Sequence, residues 1–401
     1  MTGSLLQYPW RRIFLPPSLI LRQAGSLACY AYAARWGRAG RWLCRHGART
    51  LPIAAGAVGM GCIGYPAHPA WEVTGRCNLR CIHCHANQNS GQSDLSTDEA
   101  KRLIDGIRAV DEFRMLVYTG GEPLVREDLF ELLEYSHRQG FINVIATNGT
   151  LITDEMARDL KRIGVAEIAV SLDGSCPRVH DRIRSDGAFA RALRGIEAVR
   201  HAGLTLQINT TAMRYNFDDL ENIIDLADAN RATIILMYQL VGVGRGGGIG
   251  DATLDRDLNA QLLERLARKQ RRTTVMVEPV AGPQYWAYLL QEAGLKSDRW
   301  LHRAERFFHG CAAGRGFVYI KANGEVWPCP FIEINAGNVR QTPFPQIWRQ
   351  GEVFRLLRNR ETLLQGRCGG CRWRKICGGC RGRALAETGN VMAQDSSCFL
   401  D

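Results

Sequence analysis

Three cysteines, Cys77, Cys81 and Cys84, stand within the eight residues CNLRCIHC. A structural zinc site wants four ligands in a closed tetrahedron, and His83 or His85 could supply the fourth, so the octet alone leaves zinc open. A disulfide reading needs an oxidising compartment. The third reading is a [4Fe–4S] cluster with three irons on protein thiolates and one iron left for a substrate or cosubstrate. A second set, Cys311, Cys329, Cys368, Cys371, Cys377, Cys380 and Cys398, puts seven cysteines in about 90 residues. A zinc ribbon drawn from Cys368/Cys371 and Cys377/Cys380 would have a short loop of five residues and would leave three cysteines over.

These residues need elements to position them. From Trp71 to about residue 240, β-branched runs alternate with amphipathic stretches. The runs WEVT (71–74), RMLVYTG (114–120), FINVIATN (141–148), EIAVSLD (167–173), LTLQINTT (204–211) and TIILMYQL (233–240) read as strands. Ser96 with Glu99 three residues on has capping-box spacing and opens the first helix. Six strand–helix repeats of roughly 30 residues predict an α/β chain with a parallel sheet, a partial (β/α)6 TIM-like barrel. In such barrels the chemistry sits at the C-terminal ends of the strands. The cysteine triplet follows the first predicted strand. Gly120-Gly121-Glu122-Pro123 follows the second, Thr147-Asn148-Gly149 the third and Ser171-Leu172-Asp173-Gly174 the fourth, while Asn209 and Thr211 end the fifth. Each alone is an ordinary turn; their shared position at successive strand ends is more than turn chemistry predicts.

The chain has 401 residues, 46% of them hydrophobic, which suffices for one barrel-sized domain and a smaller one. Its fourteen cysteines include four outside the two groups: Cys29, Cys44, Cys62 and Cys176. No cleavable export signal is read at the start, because proline interrupts the apolar run after Arg11 and Arg12. The cysteines are therefore expected reduced, in a cytoplasmic protein. Net charge is +11, and residues 1–70 hold eight arginines and no acid, so the remainder carries +3 (11 minus 8). The same segment has Tyr8, Trp10, Tyr30, Tyr32, Trp36 and Trp42. It suits an anionic membrane surface, a phosphate-bearing partner, or packing on the main domain. Residues 51–66 are apolar but too short and glycine-rich to span a membrane, which takes about 20 residues.

The triplet, the strand–helix array and the Gly-Gly-Glu-Pro after the second strand resemble the radical S-adenosylmethionine superfamily over about residues 70–401. The resemblance implies a division into a basic aromatic segment (1–69), a radical S-adenosylmethionine partial barrel (70–298) and a C-terminal cluster-binding domain (299–401). It implies that Cys77, Cys81 and Cys84 hold a [4Fe–4S] cluster whose open iron binds S-adenosylmethionine. Reductive cleavage there would give a 5′-deoxyadenosyl radical that abstracts hydrogen from substrate. His83 holds the family's usual aromatic position beside the adenine. Gly120, Gly121 and Glu122 would meet the cosubstrate's ammonium. Ser171, Asp173 and Asn209 are further candidates for its ribose or carboxylate.

The second cysteine set resembles the SPASM extension, which binds two auxiliary [4Fe–4S] clusters. By analogy Cys311, Cys329 and Cys380 hold the first, with one iron free of protein thiolate. Cys368, Cys371, Cys377 and Cys398 hold the second. The two-residue gap between Cys377 and Cys380, filled by glycines, departs from the family's usual three. Such enzymes draw electrons from a flavodoxin- or ferredoxin-type donor. The substrate implied first is a peptide. A tetrapyrrole, as in alternative haem or haem-d1 synthesis, is the second reading, and the stretches around residues 71–84 and 377–398 lean toward it. A small metabolite is a third, and no nucleic acid partner is expected. An electron carrier without catalysis would have no use for the Gly-Gly-Glu-Pro loop.

Overall fold

The computed structural model describes residues 67–86 and 93–400, apart from 111, 114, 271, 274, 293, 295–296 and 306–308. The basic segment, up to residue 66, lies outside the described residues. Six strands form where the sequence places them: β1 (His68–Thr74), β2 (Met115–Gly120), β3 (Ile142–Thr147), β4 (Val165–Ser171), β5 (Thr205–Ala212) and β6 (Ile234–Gln239). Helices α1 (Thr97–Arg108), α2 (Leu129–Arg138), α3 (Asp154–Arg162), α4 (Pro177–Ile183), α5 (Ala188–His201) and α6 (Leu220–Ala229) fall between them. All six strands pair in parallel with their sequence neighbours.

The local reasons are visible in the residues. At α1, Ser96 Oγ accepts from the Glu99 N–H at 3.3 Å and the Glu99 carboxylate accepts from the Ser96 N–H at 2.8 Å, closing the capping box. Ala100, Leu103, Ile104 and Ile107 then recur at helical spacing and are buried. Along each strand successive side chains alternate faces. In β4, Ile168 and Val170 join the core under the helices, while Glu167, Ala169 and Ser171 face the barrel interior.

The sheet is larger than six strands. After α7 (Arg256–Gln270), β7 (Met276–Val280) adds in parallel to β6. At the other edge β8 (Phe317–Ile320) pairs in parallel with β1, His68 opposite Phe317, and β9 (Val326–Trp327) pairs antiparallel with β8. The order is β7-β6-β5-β4-β3-β2-β1-β8-β9. β7 is only five residues and carries Glu278 and Pro279, and β8 is four residues within the cysteine-rich region, so neither gives a strong alternating signal. Helix α8 (Phe344–Gln350) packs its Phe344 and Trp348 against Phe113, giving the barrel and the C-terminal region a common core. No helix among the described residues is long and apolar enough to cross a membrane.

Candidate active site and cysteine-lined hollows

The cysteine loop is held by the strand ends around it. The Gly121 N–H donates to Thr74 O and the Glu122 N–H to Arg76 O, each at 2.8 Å. A Cβ on Gly121 would lie 2.1 Å from Arg76 O, so this close approach requires glycine. Glu122 is fully buried; its carboxylate accepts from Thr147 Oγ1 (2.7 Å) and from the N–H groups of Asn148 (2.8 Å) and Leu124 (3.2 Å). Burial pushes its carboxyl up, against those three donors. Asn148 Nδ2 in turn donates to Asn78 Oδ1 at 2.8 Å, tying the end of β3 to the loop. From the far side, Arg245 donates through Nε to Cys81 O at 2.8 Å and through its N–H to Cys84 O at 2.9 Å.

Asp173 organises the neighbouring charges. Its Oδ2 accepts from Arg184 Nε at 2.6 Å and lies 3.3 Å from His83 Nε2, and its Oδ1 accepts from the Thr211 N–H at 2.7 Å. Its pKa is lowered; desolvation by burial is the largest single influence and acts upward, but the Arg184 guanidinium, His83 and the Thr211 N–H together outweigh it. Burial pulls His83 down to about 4, leaving a neutral ring, and its buried Nδ1 has no hydrogen-bond partner.

A cavity of about 300 Å³ opens from this loop. Its lining includes Cys77, Cys81, Cys84 and His83, Gly120, Gly121, Ser171 and Asn209, the apolar Met115, Val117, Val144 and Leu236, and the polar Glu167, Gln207 and Glu278. The same cavity is lined by Cys311, Cys329 and Cys380. Ser171 and Asn209 are register partners on β4 and β5. Glu122 and Asp173, expected at the cosubstrate, do not line the cavity: both are fully buried and hydrogen-bonded. A second hollow is lined by Cys368, Cys371, Cys377 and Cys398. The fold thus brings the cysteines together in three groups of three, three and four, and Cys176, at the start of α4, stands apart from them.

The thiols suit iron–sulfur ligation. Cys77, Cys371, Cys377, Cys380 and Cys368 each have a backbone N–H directed at sulfur, from Leu79, Trp373, Gly379, Arg383 and Asp395 respectively, at 3.3–3.5 Å. Such bonds favour the thiolate that a cluster requires. Burial pushes the free thiols up, Cys77, Cys380 and Cys398 to about 11, so loading the metal must release protons. Every described cysteine is unbridged. Among the described residues no three His, Cys, Asp or Glu side chains converge on one point as a single ion requires; the sulfurs stand around hollows instead.

Several residues at these sites gave no sequence signal. Arg184 is eleven residues from its partner Asp173, and Arg245 lies in the glycine-rich stretch 242–250. His85 Nε2 lies 3.2 Å from the Tyr319 hydroxyl, which donates to Glu72 Oε1 at 2.6 Å, and Lys321 completes that network. The one available cue was position, since Glu72 lies in β1 just ahead of the cysteine loop.

Comparisons with known proteins agree with this architecture. The Radical SAM superfamily model matches residues 71–227, and the SPASM iron-sulfur cluster-binding domain matches residues 311–380. The AdoMet-dependent heme synthase of Methanosarcina barkeri is 37% identical over 82% of this chain and 95% of its own length. The mycofactocin maturase MftC of Mycobacterium ulcerans is 31% identical over 75% of this chain and 74% of its own. In fold, the chain is similar to Streptococcus suis SuiB bound to its precursor peptide SuiA (TM-score 0.67, 18% identity, 85% of this chain and 77% of that one). It is also similar to anSMEcpe with bound AdoMet (TM-score 0.64, 17% identity, 83% and 94%). Loop geometry, grouped thiols and these relatives lead to one conclusion: the chain belongs to the radical S-adenosylmethionine superfamily, an enzyme that uses S-adenosylmethionine and [4Fe–4S] clusters and carries a C-terminal SPASM domain.

Proposed function

We propose that this enzyme acts on an iron tetrapyrrole in a haem-forming step. The observation that carries the reading is 37% identity to an AdoMet-dependent heme synthase across 95% of that protein. An Fe-coproporphyrin III synthase from the same organism, 34% identical over 82% of this chain, supports the same substrate class. Two side chains that are propionates in Fe-coproporphyrin III are vinyl groups in haem. Each such conversion removes one hydrogen atom, carbon dioxide and one electron, and the electron must pass to a one-electron acceptor of the iron–sulfur or flavoprotein class. S-adenosylmethionine, when bound and reductively cleaved, supplies the 5′-deoxyadenosyl radical for hydrogen abstraction.

The chain's residues divide the remaining work. Cys77, Cys81 and Cys84 hold the cluster that binds the cosubstrate, and the Gly120–Gly121 backbone, Ser171 and Asn209 border its place. Glu122 fixes the Gly-Gly loop from behind, and Asp173 fixes Arg184 and His83. The cavity shared by the two cysteine groups receives the macrocycle, with Met115, Val117, Val144 and Leu236 as its apolar contacts. Cys311, Cys329 and Cys380 hold one auxiliary cluster, and Cys368, Cys371, Cys377 and Cys398 the other. An external flavodoxin- or ferredoxin-type protein supplies electrons, and the basic segment before residue 67 meets an anionic membrane surface. The domain boundaries at about residues 70 and 299 complete this reading.

The test is the full chain, reconstituted anaerobically with iron and sulfide and given S-adenosylmethionine, dithionite and Fe-coproporphyrin III. Mass spectrometry should find haem, with 5′-deoxyadenosine formed alongside. Unchanged tetrapyrrole, while a short peptide encoded beside the gene changes mass, would transfer the function to peptide modification, the activity class of the MftC relatives.

A further inference from the structure

The two-glycine gap between Cys377 and Cys380 has a physical counterpart. Gly378 and Gly379 both take left-handed backbone, with φ of +69° and +65°. A Cβ on Gly378 would lie 2.9 Å from Arg360 Nε; a Cβ on Gly379 would lie 2.5 Å from Arg381 Nη2 and 3.3 Å from Cys368 Sγ. Each glycine makes room for one arginine, and both arginines are fully buried.

Neither arginine has an ion-pair partner among the described residues. Arg360 donates to the carbonyls of Cys311 and His309, and its buried Nε has no partner. Arg381 donates to the carbonyls of Val391, Ala393 and Gly379, and its Nη2 lies 3.9 Å from Cys368 Sγ. Asp395 is within electrostatic reach of Arg381, but its carboxylate is bonded to Arg383, Gln284 Nε2 and the Cys380 N–H. Three guanidiniums, Arg360, Arg381 and Arg383, are thus buried in this region with one buried carboxylate, Asp395, which reaches Arg383 and Arg381 but not Arg360, so two of the buried positive charges have no buried counter-charge. A buried charge without a counter-charge is strongly disfavoured. The compensating groups at hand are the cysteines: Cys311 borders the first cavity, and Cys368 and Cys377 the second hollow.

We propose that Arg360 and Arg381 are counter-cations of the two auxiliary clusters, seated by the Gly378–Gly379 turn, and that they raise the clusters' reduction potentials. The proposal rests on placing the clusters at these two cysteine groups. A thiolate-held cluster is a net anion and gains a further negative charge on reduction, so a fixed cation stabilises the reduced form more. Arg381, beside Cys368, acts on the second auxiliary cluster. Arg360, between Cys311 and Cys377, acts on both.

The test uses the full chain carrying Cys77→Ala, Cys81→Ala and Cys84→Ala, so that only auxiliary signals remain, in redox titrations followed by electron paramagnetic resonance. In Arg381→Met, the oxidised-to-reduced ratio of the second cluster, read at the parent's midpoint, should rise at least tenfold, equivalent to about 59 mV for one electron. Arg381→Lys should stay within about threefold of the parent, because the charge is kept. Arg360→Met should move both clusters the same way. If Arg381→Met does not fold, Arg381→Gln, which keeps a donor for the carbonyls, is judged by the same ratio. Intact iron content and signals with an unmoved ratio would make the arginines backbone clamps and overturn the proposal. If instead Cys329→Ala and Cys371→Ala remove no iron, the cluster placement itself falls, and the proposal with it.

Discussion

At the end of β1, three cysteines share their surroundings with a closed ion pair, Arg184 with Asp173. Around the C-terminal cysteines, three buried arginines face one buried aspartate. Similar thiols therefore sit in opposite electrostatic settings. Near the barrel edge Asp173 pairs with Arg184, whose Nη1 also lies 3.8 Å from Cys81 Sγ, and the site borders an open cavity where a charged cosubstrate can arrive. In the C-terminal region the protein is left with excess positive charge that only a buried anion relieves. The difference teaches that one region is built to exchange its ligand and the other to keep it.

The largest effect that could break this comparison comes from removing the exchanging site. The Cys77→Ala, Cys81→Ala, Cys84→Ala variant should lose all cosubstrate cleavage and about four of roughly twelve irons, measured by 5′-deoxyadenosine yield and iron analysis. Retained cleavage would refute the assignment, and zinc at about one per chain without iron would refute the cluster reading altogether. Next, Asp173→Asn leaves Arg184 buried without its partner. It should cost on the order of 3–5 kcal/mol in denaturant unfolding of the iron-free protein. Asp395→Asn should cost visibly less in loaded protein than in iron-free protein, because the clusters supply negative charge there. Equal costs in both forms would erase the contrast.

Acid separates the regions more gently. His180, behind the barrel edge, accepts the Asp173 N–H through Nδ1 at 3.1 Å, and burial holds its pKa down at about 4. Unfolded, it titrates near 6.5, so between about pH 6.5 and 4 the unfolded chain binds the extra proton and stability falls as pH falls. The loss attributable to this ring is on the order of 3 kcal/mol, and His180→Gln should flatten that part of the profile. An unfolding midpoint that stays constant from pH 7 to pH 4.5 would rule it out. The smallest effect is Gly378→Ala, which forces a side chain into left-handed backbone and toward Arg360. A loss of about 1–2 kcal/mol is expected, with the barrel-edge cleavage unaffected.

Much of the scaffold could be read from local pattern. The six strands of β1–β6 and the Ser96–Glu99 cap depend on periodicity and on neighbours three or four residues apart. The triplet and the C-terminal cysteine set stand out by their density in the sequence, while the division of the second set into three and four came from the resemblance to the SPASM extension. What escaped reading depends on distance in sequence: Arg184 with Asp173, Tyr319 with Glu72, Arg360 with Gly378. No short window records that an arginine will be buried, because nearly all arginines are exposed and this choice is made by the tertiary fold. Glu122 and Asp173 show the same limit from the other side. Their strand-end positions marked them as important, but only the packed structure shows which protein groups their carboxylates hold.

The pairing of β1 with β8 also has a consequence for how the molecule is made. His68 and Phe317 are register partners separated by about 250 positions along the chain. During synthesis β1 therefore remains an unpaired edge, with the cysteine loop attached to it, until the ribosome has released nearly four-fifths of the protein. Contacts so far apart form slowly, and exposed strand edges invite association with other chains. A nascent chain waiting in this state would need to be shielded, and metal delivered to Cys77, Cys81 and Cys84 before β8 arrives would reach a loop whose outer strand is still missing. The last fifth of the chain acts as the latch on the first strand, so assembly of the barrel is completed from its C-terminal end.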